Sequence, residues 1–340
     1  MNYRSFHSSA ALAAITLIVA LTAVPAAAQA PAAKAAAGKT YTPPRTADGH
    51  PDLQGFWTNN TVTPLERPKG LAAKEFYSEE ELAALIKKEK DRLDKNEEEG
   101  RQTEPGTADD VHYDFSQFGL DPAQHARGWN RRTSLIVGAT GTVPALLPEA
   151  RKRNADVAAK NKGHEFDGPE NRPLSARCMV LGQESVPMLS GGYNNNLQIV
   201  QSQGYVTIFH EMNHAARVIP IDGRPHAPAS VRQWRGDPIG HWDGNTLVVD
   251  STNFTARNPF RGSGEKLHVV ERFTRVDADT ILYRFTVEDP ETWDQPWTAE
   301  AAWAKEDGPI YEFACHEANY GLRNTLNGAR VAEKDPAAKK

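Results

Sequence analysis

The C-terminal half of this 340-residue chain is a run of short β-forming segments separated by turn residues, and no other feature constrains the fold as tightly. Asn196-Leu-Gln-Ile-Val-Gln201 meets Tyr205-Val-Thr-Ile-Phe209 around Gly204. Gly240-His-Trp242 meets Asn245-Thr-Leu-Val-Val-Asp250 across Asp243-Gly244, a strong hairpin signal. Leu267 to Val276 pairs with Thr280 to Glu288 across Asp277-Ala-Asp279, and Thr298 to Lys305 pairs with Ile310 to Cys315 across Asp307-Gly-Pro309. About eight strands in successive hairpins predict a mainly β protein, an antiparallel up-and-down barrel.

Two helices and long wrapping loops precede these strands. Ser78 with Glu81 forms a capping box that opens a helix to Glu99, and a second helix spans Leu147 to Asn161. Trp129 to Val137 reads as a strand, residues 100–128 as an irregular wrap carrying His112 and His125, and Gly168 to Cys178 as a loop. Gly55-Phe-Trp57 is similar to the Gly-x-Trp that opens the first strand of lipocalin-like barrels, with Trp57 filling the barrel floor.

The N-terminus has the layout of an export signal over residues 1–30. Arg4 supplies the positive end, Ala10 to Val24 an apolar stretch, Pro25 a break, and Ala28-Gln29-Ala30 a cleavage site. A flexible leader over 31–48 and one barrel domain over 49–335 follow. No later segment is apolar enough to span a bilayer, so a periplasmic or secreted protein is expected, off the membrane once the signal is cleaved. Outside the reducing cytosol the two cysteines, Cys178 and Cys315, predict one disulfide. A net charge of −5 gives no electrostatic footprint for nucleic acid.

One stretch of letters points to chemistry. His210-Glu-Met-Asn-His214 matches the zinc-protease HExxH, which needs both histidines on one helix face. The flanks, Tyr205 to Phe209 and Val218-Ile219, are instead β-branched or aromatic. As one continuous strand, His210, Met212 and His214 share a face, with Glu211, Asn213 and Arg217 opposite. The two histidines then stand roughly 13 Å apart, too far to grip one metal.

Other polar groups are candidates by position. Glu271 shares an alternating face with Leu267, Val269 and Phe273, so burial demands a partner such as Arg217 or Arg284, or a raised pKa. His241, His268 and His316 join His210 and His214 as possible acid/base or metal-binding groups, although a lone histidine is more often a hydrogen-bonded structural residue. Tyr193-Asn194-Asn195-Asn196, Trp242, His316 and Tyr320 offer amides and rings to a ligand. The plainer reading gives the asparagines to turns. Trp234, Trp242, Trp293, Trp297 and Trp303 serve equally as cavity walls or core.

Several longer motifs carry a resemblance to known proteins. Pro51-Asp-Leu-Gln-Gly-Phe-Trp57, Tyr193-Asn-Asn-Asn196, His210-Glu-Met212, Arg217-Val-Ile-Pro-Ile-Asp-Gly-Arg-Pro-His226 and Gly240-His-Trp-Asp-Gly-Asn-Thr-Leu-Val-Val-Asp-Ser-Thr-Asn-Phe254 resemble a large family of secreted bacterial proteins of unassigned function. The resemblance runs from about residue 43 to 330 and implies a shared fold and export, with no transferable catalytic residues.

These observations lead to one expectation and two rivals. The expectation is an exported lyase or hydrolase acting on a small aromatic or glycosidic compound. His210 or His214 is its base or metal ligand, Glu271 its buried acid, Arg217 its anion stabiliser and His241 a further participant. It works with no cofactor or with a single divalent metal. The rivals are a non-catalytic lipocalin-like binder of small molecules and an HExxH zinc protease.

Overall fold

The computed structural model describes residues 41–71, 73–102 and 127–334. The signal and leader readings and the wrap with His112 and His125 fall largely outside these residues. Nine antiparallel strands make one sheet: β1 (Gly55–Thr58), β2 (Asn196–Ser202), β3 (Tyr205–His210), β4 (Ala215–Pro220), β5 (Asp237–Asp243), β6 (Thr246–Thr252), β7 (His268–Arg275), β8 (Thr280–Glu288) and β9 (Trp297–Glu306). Their order, β4-β3-β2-β1-β9-β8-β7-β6-β5, is up-and-down, with the first strand pairing the last.

The sheet does not close into a barrel. Its edge strands β4 and β5 share no hydrogen-bond ladder. They come close through side chains: a Cβ at Gly240 of β5 would lie 2.9 Å from methyl groups of Ile219 and Ile221. Pro220 on β4 and Pro238 on β5 each lack a donor for a ladder, so backbone chemistry discourages pairing at this seam.

The inner face is filled rather than hollow. Alternate residues of β7 and β8 are buried, as period-2 patterning requires. Phe273, Tyr283 and Trp303 pack with ring centroids 4.7–5.5 Å apart, and Trp57 is fully buried beside them in the same core. Trp57 is held by its indole donating to the carbonyl of Leu53 at 2.9 Å.

Three α-helices are found among the described residues: α1 (Glu79–Gln102), α2 (Pro148–Asn161) and α3 (Tyr320–Lys334). The capping box forms, with Ser78 N–H donating to Glu81 Oε2 at 2.7 Å and Glu81 N–H to Ser78 Oγ at 3.2 Å. None is long and apolar enough to cross a membrane. The Cys178–Cys315 disulfide forms, compatible with an extracellular or periplasmic setting. It spans 137 residues, and in the chain-entropy account a loop of that length stabilises by about 5 kcal/mol.

Three local expectations are corrected. Trp129 to Val137 is irregular: it meets β9 through the isolated bridge of Ile136 to Ala299 and the ion pair of Arg132 with Glu300, while Arg132 also bridges Phe76 outside the sheet. Residues 310–315 form no strand, because β1 already occupies that edge of β9 and Gly308 packs against the Phe56 ring. Residues 205–219 are not one strand. A tight turn at Met212–His214, with Asn213 and His214 at positive φ, folds them into the β3–β4 hairpin. His210 therefore pairs with Ala215, and Arg217 with Ile208.

Candidate functional site

That hairpin decides the fate of the HExxH letters. With no helix, His210 and His214 share no metal-gripping face, and the zinc-protease geometry is absent. His210 ends β3 pointing inward, 3 % exposed, while His214 lies exposed with its ring edge-on to Phe209 at 4.5 Å. Arg217 also points inward, on the same side as His210 rather than opposite, because the turn reverses the chain between them.

His210 Nε2 is buried with no hydrogen-bond partner among the described residues. Burial, together with the Arg217 and then the Arg235 guanidinium, pushes this imidazole down to about 3, so it is neutral at ordinary pH.

Glu271 lies on the inward face of β7 at 0 % exposure, and its partner is Arg217 rather than Arg284. Arg217 donates through Nη1 to Glu271 Oε1 at 3.0 Å, through Nη2 to Glu271 Oε2, and through Nη2 to Ser251 Oγ at 2.9 Å. Tyr283 Oη donates to Glu271 Oε1 at 2.8 Å and accepts from Met188 N–H at 2.9 Å. Burial, and then the Glu271 charge, raises the Tyr283 phenol well above its usual range. Both carboxylate oxygens are thus committed to a paired network inside the core. Its outward arm, Tyr283 to Met188, fixes the segment that crosses the end of the sheet.

The other expected residues do not gather around His210. His241 is exposed on β5, and Trp242 beside it stacks on His50 at 5.3 Å. The Asn195 amide binds both backbone groups of Gly191, at 2.7 and 3.0 Å, the turn role that competes with ligand recognition. Asn194 adopts positive φ in the same turn. Tyr193 is exposed near Phe313, His316 is exposed after the disulfide, and Tyr320 is exposed at the start of α3. Among the described residues, no group of three His, Cys, Asp or Glu side chains is placed to hold a metal.

What the fold does assemble is a pocket at one end of the sheet, of about 390 Å³. Val186, Pro187 and Leu189 form one wall, Phe254, Phe260 and Leu267 another, and Trp234 stands at the side. Val186, Phe254 and Leu267 belong to the buried core, so this wall is an extension of it. Each wall is tied down. Met188 N–H bonds Tyr283, Glu184 accepts from Leu181 and Gly182 N–H at 2.9 and 3.1 Å, and Asn258 Nδ2 donates to the Trp234 carbonyl at 3.0 Å. Glu184, fully buried, also faces Arg235 and Asn213 at 3.4 Å, which links the pocket loop to the β3–β4 turn.

Of these wall residues the sequence marks Trp234 as a cavity wall and Leu267 as inward-facing. Trp293, Trp297 and Trp303 are core, and Val186, Leu189, Phe254 and Phe260 sit in loops where no period marks a shared face. Compared with protein-family models and with curated proteins, the chain shows no match.

Proposed function

We propose that the protein is an exported binding protein for a small, largely apolar molecule, lipocalin-like in its meander of strands, with its ligand at the open end of the sheet. One observation carries this reading: the pocket joined to the core, walled by Val186, Leu189, Trp234, Phe254, Phe260 and Leu267. Its volume, about 390 Å³, falls within the range of small-molecule sites, which are mostly apolar with a few polar groups. Gln183, Asn258 and Arg261 supply those polar groups at its rim. The acid/base reading draws less support, because the Glu271 carboxylate is enclosed and neutralised by Arg217.

The test is titration with the uncharged fluorophore N-phenyl-1-naphthylamine. Enhanced emission and saturable binding are expected, and Leu189→Trp, which fills the pocket, weakens binding by roughly tenfold or more with the melting temperature preserved. A wild-type protein that leaves the dye dark, or a filled pocket that binds it equally well, refutes the proposal.

A further inference from the structure

The apolar pocket opens into a second, larger cleft of about 1070 Å³, and the two share Leu181, Gly182, Ser185, Asn258 and Pro259. The cleft lies between the last turns of α2 and the loops 165–185 and 256–259. Its lining is net positive: four cations, Lys160, Arg172, Arg177 and Arg257, stand against two carboxylates, Glu165 and Glu170. The whole chain, by contrast, has a net charge of −5.

Among the described residues none of these six groups is engaged in an ion pair, unlike Arg132, Arg217 and Arg235. Arg172 donates to the Glu165 carbonyl at 3.0 Å and covers the Phe166 ring at 4.5 Å. Among the described residues Lys160, Arg177 and Arg257 have no carboxylate partner. Arg257 also marks the border of the two cavities. Its guanidinium sits 5.3 Å from the centroid of Trp234, the indole that walls the apolar pocket. A cation held against an aromatic wall keeps its N–H donors directed outward, where a ligand oxyanion meets them bidentately.

We infer that the ligand is an amphipathic monoanion, its apolar body in the pocket and its single carboxylate or sulfonate in the adjoining cleft against Arg257 and Arg177. This rests on the pocket reading above and adds the charge of the ligand. Both groups present a planar or trigonal set of oxygens to a guanidinium fork, so the cleft chemistry is common to them. The uncharged alternative leaves the excess of four cations over two carboxylates in the cleft without a counter-charge.

The experiment compares two dyes with nearly the same apolar body. 8-Anilinonaphthalene-1-sulfonate carries a sulfonate, and N-phenyl-1-naphthylamine does not. The native protein is expected to bind the sulfonate roughly tenfold more tightly, the scale of two partly exposed charge contacts. The double variant Arg177→Gln, Arg257→Gln brings the ratio close to one while leaving the uncharged dye unaffected. The sulfonate preference of the native protein also shrinks at about 0.5 M salt, a readout that needs no variant. Equal affinity for the two dyes, or a preference indifferent to salt and to the double variant, overturns the inference and leaves the pocket standing. Failure of both dyes to bind overturns inference and pocket together. The same titrations repeated with naphthoate and naphthalene sulfonate as competitors separate carboxylate from sulfonate.

Discussion

Replacing His210 with leucine removes one buried ring of similar size and one titration. In the folded protein the His210 imidazole is held near pKa 3, against an ordinary value of 6.5, because charging it means burying a cation beside Arg217 and Arg235. Below pH 6.5 the unfolded chain takes up a proton that the folded chain refuses. Stability is therefore lost as pH falls from 6.5 towards 3. The full difference is roughly 5 kcal/mol, and about 2.5 kcal/mol of it falls between pH 7 and pH 4.5. At pH 7 the leucine variant should lie within about 1.5 kcal/mol of wild type, since volume is nearly kept and a buried nitrogen without a partner disappears. Urea unfolding at both pH values reads the effect. Other carboxylates titrate in both proteins, so the informative quantity is the difference between their acid losses. The variant is expected to lose about 2.5 kcal/mol less than wild type. Equal losses in the two proteins would show that His210 is solvated or partnered, and would refute the burial argument.

Two further perturbations test the network and the outer face of the sheet. Glu271→Gln leaves Arg217 buried without its counter-charge and loosens Tyr283, so chemical denaturation should show a loss of about 3–5 kcal/mol; a change below 1 kcal/mol would contradict the burial of this pair. On the outer face, His226 lies between Asp237 and Asp250 at 3.0 and 3.2 Å, and His268 lies between Asp250 at 3.0 Å and Glu288 at 3.6 Å. The hydrogen bond to Asp250 raises His268, so this contact stabilises the fold below pH 6.5 and the benefit fades as pH climbs through the raised value. Wild type should thus lose more stability than His268→Gln on alkalinisation from pH 6.5, read from urea midpoints; parallel pH profiles would exclude a stabilising His268–Asp250 contact.

Much of the sheet is legible in the letters. The alternation in Leu267 to Val276 and Thr280 to Glu288 survives in the burial of β7 and β8, since a strand alternates its faces regardless of its neighbours. Asp243-Gly244 and the Ser78–Glu81 capping box act within a few residues, and both form as expected. The β3–β4 hairpin was hidden because its turn, Glu211-Met-Asn-His214, lacks glycine and proline. Asn213 and His214 adopt positive φ without the residue that usually announces it. The third helix, α3, is one the letters did not announce, and it buries none of its residues.

The pocket and the polar pairings lie at the other extreme. Burial of Glu271 follows from alternation, which is local, and so does its need for a partner. The choice of Arg217, 54 residues from the carboxylate in sequence, over Arg284 depends on which side of the sheet β4 presents, and that depends on the turn at Met212–His214. The Cys178–Cys315 bond was readable because two cysteines allow one pairing. Periodicity and turn chemistry thus dictate most strands, the first two helices and the inward faces, because each depends on neighbours in sequence, while the count of two cysteines dictates the disulfide. Tertiary packing alone decided the open seam between β4 and β5, the neutral buried His210, and the meeting of Val186, Trp234, Phe254 and Leu267 around one cavity. Those outcomes depend on distances between loops, and no residue pattern along a single segment encodes them.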